Sequence, residues 1–104
     1  MVRPRVDGII EAVREEAERA MKLYPGMNSR HEAFAVIYEE IDEFWELVRL
    51  NPKKMTAAQN EEFRQNMRTE LIQIAAMCIR SISDLGLERD TTKTVYGALE
   101  SWDR

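Results

Sequence analysis

The chain holds one cysteine, one histidine, three prolines and four glycines in 104 residues. A single thiol, Cys78, excludes a disulfide within the chain, and a single histidine, His31, excludes the paired Glu-x-x-His motifs of di-iron helical bundles. Few breakers, together with 44% hydrophobic and 33% charged residues, exclude the polar, Gly/Pro-rich bias of a disordered chain. No apolar run approaches the roughly 20 residues that cross a bilayer, so no membrane is expected. The start MVRPRVDGII also lacks the long apolar stretch of a signal peptide, so a cytoplasmic protein is expected. Fifteen Lys and Arg stand against nineteen Asp and Glu, a net charge of -4, and the basic residues are scattered. Without a basic stripe there is no counterion-release footprint, and nucleic acid is not an expected partner. The length suits one domain over residues 1–104, burying about two-thirds of its unfolded surface.

What the chain does have is helical periodicity. Val6, Ile10, Val13, Ala17, Met21 and Tyr24 recur by three and four, which predicts an amphipathic helix over 6–24, ended by Pro25 and Gly26. Ser29 stands three residues before Glu32, a capping-box spacing, and predicts a second helix from there to about Leu50. Asn51 and Pro52 make a loop. Thr56 and Gln59 repeat the capping spacing, and residues 57–84 keep helical period without a Gly or Pro, predicting a long third helix stopped at Gly86. The stretch 90–104 reads as a short C-terminal helix with Val95, Leu99 and Trp102 inward and Asp90 as its cap. The expected fold is therefore an all-α bundle of three main helices plus a short C-terminal one. Apolar arcs this wide cannot all be covered within one chain, so a homodimer or dimer of dimers is expected to finish the core.

The second helix places acids where burial is wanted. With Glu40 at zero on a helical wheel, Val36 and Leu47 fall at about 320° and 340° and Ala33, Phe44 and Ile37 at about 20° to 60°. Glu40 thus lies inside the apolar arc, Glu43 and Glu39 climb from its edge, and Asp42 and Glu46 belong to a solvated face. On the third helix Glu70 sits between Met77, Phe63 and Ile74, with Gln73 the one polar interruption of LIQIAAMCI. That helix is expected at the centre of the bundle. An ionised carboxylate in apolar surroundings costs several kcal/mol unless it is paired or bound to a cation. If the two helices face each other, Glu40, Glu43 and Glu70 converge and raise one another's proton affinity. No Lys or Arg lies beside Glu40 or Glu70 on those arcs. A hard divalent ion, Mg²⁺ with Mn²⁺ as a substitute, is the economical compensator.

EEIDE at 39–43, followed after a gap by ELIQIAAMCIR from Glu70, resembles the EExxE and ExxD signature of the MazG-like all-α nucleoside triphosphate pyrophosphohydrolases. The resemblance covers residues 29–85. It implies Mg²⁺-dependent hydrolysis of a nucleoside triphosphate between the α and β phosphates, giving a monophosphate and pyrophosphate. It also implies that Glu40, Glu43, Glu70 and position 73 hold the ions, with Glu39 as the base that orients water. Gln73 departs from the signature, which has an aspartate there. An amide oxygen is a neutral, weaker ligand than a carboxylate.

Arg80 lies about 10 Å along the axis from Gln73, two turns on, where it suits a triphosphate tail or a surface ion pair equally. His31 falls on the outer side of the helix start and reads as solvated or capping. Trp45, Tyr38 and Trp102 read as bundle or dimer packing, and Cys78 as inert core. The competing function is a non-catalytic helical oligomerisation module, for which the acids carry no ion.

Overall fold

The computed structural model describes residues 4–88. Three helices make up the fold, α1 (Pro4–Leu23), α2 (Arg30–Val48) and α3 (Ala57–Asp84), with a 3-10 turn, Pro52–Lys54, between the last two. Among the described residues there is no strand, and no helix is long and apolar enough to cross a membrane. The short helix expected over 90–104, with Trp102, lies outside the described residues.

The helix ends follow local chemistry. Ser29 Oγ accepts from the Glu32 N–H at 3.1 Å, while the Glu32 carboxylate accepts from the Asn28 N–H at 3.4 Å, one residue before the expected capping-box partner. Thr56 and Gln59 form the complete box, each side chain accepting from the other's backbone N–H at 3.1 and 3.0 Å. At the far end of α3 the chain leaves through Gly86 at φ 65°, a left-handed position that costs glycine nothing. Leu87 N–H reaches Ile82 O at 2.8 Å and Gly86 N–H reaches Ser83 O at 3.2 Å, the paired bonds of a Schellman motif. The Leu87 side chain itself stays exposed.

Helix α3 is the central element, as its sequence predicts, with α1 and α2 packed on it. The core between them is made of small and flexible residues: Ala17, Ala20, Met27, Ala33, Ala76 and Met77, edged by Val13, Val36, Ile37 and Leu85. Ala76 is 0% exposed, so the helices approach closely at that point. Among the described residues no large side chain is completely buried, whereas Phe34, Tyr38, Ile41, Trp45, Leu71 and Ile82 remain exposed. Cys78 corrects the sequence reading: it is exposed, not core. On the α3 wheel it lies about 80° from Glu70, past the side that meets α2 and well short of the side that meets α1.

The α1–α2 loop is tied to the end of α3. Arg80, 7% exposed, donates to Pro25 O and lies with its guanidinium carbon 5.8 Å from the Tyr24 ring centroid. Its Nε lies 3.4 Å from Asp84 Oδ2, and that same oxygen accepts from Met27 N–H at 3.0 Å. Ser81 Oγ donates to Met77 O at 2.7 Å and sits 3.2 Å from Met27 Sδ. Removing Asp84 leaves the buried Arg80 charge without its counter-ion and the Met27 N–H without its acceptor. Asp84→Ala should therefore cost about 3 kcal/mol, against about 1 kcal/mol for the exposed cap variant Thr56→Ala. Urea denaturation of the two variants checks this, and equal losses would show that the loop is not held through Asp84.

Candidate functional site

Helix α2 brings Glu40 and Glu43 to the side of α3 that carries Glu70. One carboxylate oxygen from each of the three lies within 4.8 Å of the others. Glu40 and Glu70 are half-buried and Glu43 is exposed, as the helical wheels predict. The fourth expected member joins them. Of the two orientations of the Gln73 amide, the one with nitrogen toward the carboxylates matches donors to acceptors. Nε2 then donates to Glu40 Oε2 at 3.0 Å and to Glu70 Oε2 at 3.3 Å.

Crowding the acids has a proton cost. Burial, then the Glu43 charge, then a hydrogen bond shared with Glu70 push the Glu40 carboxyl up to about 7. Glu70 is raised too, by burial first and the Glu43 charge next, while the proton shared from Glu40 pulls it the other way. Near neutrality Glu40 is therefore about half protonated. Protonation of Glu40 and the Gln73 amide each offset part of the crowding of charge.

Beside the cluster is a cleft of about 460 Å³ between the three helices. Glu39, Glu40 and Gln73 line one part of it, and Arg19 and Arg80 line it as well. Glu39 is exposed and stands outside the 4.8 Å group, so its carboxylate is free for a role other than holding an ion. Arg80 takes neither of its two expected forms in full: it reaches the cleft wall, but its ion pair with Asp84 is buried. His31, Asp42 and Glu46 are exposed, in keeping with a solvated face.

Arg19 is absent from the sequence reading. It is held by Glu16 through two hydrogen bonds, Nη2 at 2.7 Å and Nε at 2.9 Å. An exposed pair of this kind contributes 1 kcal/mol or less, roughly, so exchange of Glu16 for an anionic ligand costs little. The i,i+3 spacing was visible in the sequence, but nothing there says that α1 turns this pair toward α2. No family model, curated protein or solved structure matches the chain.

The donor set suits a hard divalent cation: three carboxylates close together, an amide whose oxygen and nitrogen exchange places on rotation, and an open side for further ligands. A pH dependence follows. Glu40 titrates near 7 in the folded chain against 4.5 when free, so between those values the folded state binds more protons than the unfolded one. The contribution of Glu40 to metal-free stability is therefore greatest in acid and falls as pH rises to about 7. Glu40→Gln removes this fall, so the variant should melt higher than the parent at pH 8 and lose that advantage at pH 5. Melting curves across this range check it, and a difference independent of pH would show that Glu40 titrates as a free carboxyl.

Proposed function

We propose that the protein is a Mg²⁺-dependent nucleoside triphosphate pyrophosphohydrolase of the MazG-like kind, cleaving (d)NTP between the α and β phosphates to (d)NMP and pyrophosphate. The convergence of Glu40, Glu43 and Glu70 at the edge of the three-helix cleft carries this reading. In it, Glu40, Glu43 and Glu70 hold the ion, Gln73 contributes its amide oxygen, and Mn²⁺ can substitute. A cation bound there would neutralise phosphate charge and favour the transition state electrostatically.

The chain's own groups do the rest. Arg19, loosely paired, is placed to meet the polyphosphate as a bidentate fork, and Arg80 gives the cleft wall fixed positive charge. Glu39 orients the attacking water and accepts its proton as the bond between the α and β phosphates breaks. Val36 and Met77 give the cleft apolar flanks. The reading includes a nucleotide-pool role in the cytoplasm, no nucleic-acid partner, and a homodimer or dimer of dimers.

One observation favours a second reading, a helical oligomerisation module or a MazG-like protein without activity. The Gln73 amide and protonation of Glu40 each offset part of the crowding of the carboxylates with no ion present. Metal separates the two readings. A hydrolase gains stability from Mg²⁺, by about 2.7 kcal/mol at a hundredfold excess over Kd, and a module gains nothing.

The direct test is pyrophosphate release from a nucleotide panel with Mg²⁺. Turnover of at least one triphosphate is expected, abolished in Glu40→Gln and Glu70→Gln with helical content unchanged. Normal rates in both variants would overturn the ligand assignment, and no release from any triphosphate would overturn the reading.

Gln73→Asp gives a further test with two opposite signs. Without metal, a carboxylate in place of the amide removes two donors and adds a like charge, so the melting temperature should fall. With Mg²⁺ the same carboxylate is a stronger ligand, so the stabilising shift should exceed that of the parent. A shift no larger than the parent's would show that position 73 does not meet the ion.

A further inference from the structure

The acidic cleft has a neighbour. A second hollow, of about 310 Å³, lies between α1 and α3 and shares Glu16, Arg19 and Gln73 with the cleft. It just reaches the roughly 300 Å³ at which clefts begin to take small molecules. Gln73 thus belongs to both walls, and its amide meets Glu40 and Glu70 where the two hollows adjoin. A ligand anchored at those carboxylates can extend to either side of Gln73, toward α2 or along α1.

The two hollows differ in lining. Val36 and Met77 give the cleft apolar flanks, whereas the second hollow has only Ala12 and Ile72 as apolar groups and is otherwise polar. Its donors come from three side chains. Arg68 lines this hollow and not the cleft, is exposed, and among the described residues makes no ion pair. Thr69 lies one helical turn before Gln73 and lines the same wall. Arg19 stands where the hollows join, its Nε and Nη2 both held by Glu16, whose side chain is 18% exposed. A carboxylate already seated in that fork shows the kind of group the fork takes, an anion that offers two oxygens at once.

We infer that the second hollow is a diphosphate site, which receives the part of the substrate beyond the bond that breaks. That role rests on the proposed reaction. There the water oxygen bonds to the α phosphorus, the α–β bridging oxygen leaves with the bonding electron pair on pyrophosphate, and the water proton goes to Glu39. Negative charge gathers on the leaving group, which therefore belongs beside Arg68, the Thr69 hydroxyl and an Arg19 released from Glu16. The nucleoside half stays on the side that Val36 and Met77 border. Glu15 and Glu16 balance the two arginines of the hollow, so its own charge is close to zero. Firm binding of pyrophosphate thus also needs a divalent cation at Glu40 and Glu70.

Isothermal titration of the full chain with inorganic pyrophosphate, in excess Mg²⁺ and at physiological salt, tests the inference. The parent should bind, and Arg68→Gln should raise the Kd about tenfold through loss of a charge-assisted contact. Arg64→Gln removes the same charge one turn earlier, outside the hollow, and should change the Kd by less than about twofold. Both positions are exposed, so both variants should keep the fold. A parent that does not bind pyrophosphate overturns the inference, as does an equal loss in the two variants or a loss in neither. Failure of the proposed reaction reads differently. A chain that hydrolyses no triphosphate, yet loses pyrophosphate binding in Arg68→Gln alone, keeps the site and gives up the reaction. One that hydrolyses a triphosphate while Arg68→Gln leaves pyrophosphate affinity untouched keeps the reaction and gives up the site.

Discussion

Packing α2 against α3 places three carboxylates within 4.8 Å, and most of what is distinctive about this protein follows from the need to hold them there. Small or flexible residues make the approach possible: Ala33 on α2, and Ala76 and Met77 on α3, are all buried. The crowding is relieved in part in two ways that need no ion, protonation of Glu40 and the amide of Gln73. Both reliefs are reversible. A divalent cation would displace the proton, and rotation of the amide would turn its oxygen toward the ion. Gln73 thus offers a compromise that aspartate lacks, stabilising the metal-free cluster at some cost in affinity.

Much of this was legible in the chain. The helix limits were set by Ser29, Thr56 and Gly86, whose capping chemistry is local and therefore visible in sequence. Glu40 and Glu70 stood out because a charged residue inside an apolar arc needs an explanation that periodicity alone cannot supply. What could not be read were the relations between helices. The Arg19–Glu16 pair is ordinary on an isolated helix and gains its interest only because α1 turns it toward the cleft. The apolar neighbours of Cys78 in sequence suggest core, yet on α3 they include a face that neither α1 nor α2 covers. Spacing alone suits Arg80 to a triphosphate tail or a surface ion pair, whereas the loop bonds around it join residues 55 to 57 positions apart.

The two faces of α2 differ in chemistry. One side collects charge, with Glu39, Glu40, Arg19 and Arg80 around the cleft. The other side collects aromatic and aliphatic side chains in coiled-coil spacing. A single helix, α2, serves both sides at once, which accounts for the mixture of acids and large apolar residues in HEAFAVIYEEIDEFWELV. Phe34, Tyr38, Ile41, Trp45 and Val48 centre about 120° from Glu40 around the same axis, so the two sets of side chains point to different faces of the helix.

The central claim is that Glu40, Glu43, Glu70 and Gln73 form one divalent-cation site. Manganese is its most direct probe, because free Mn²⁺ gives an electron paramagnetic resonance signal that broadens on binding. Titrating the protein with Mn²⁺ at pH 8 should remove the free-ion signal, Mg²⁺ should restore it by competition, and Glu40→Gln should leave it undiminished. A free-ion signal that the parent protein and Glu40→Gln reduce equally would contradict the account.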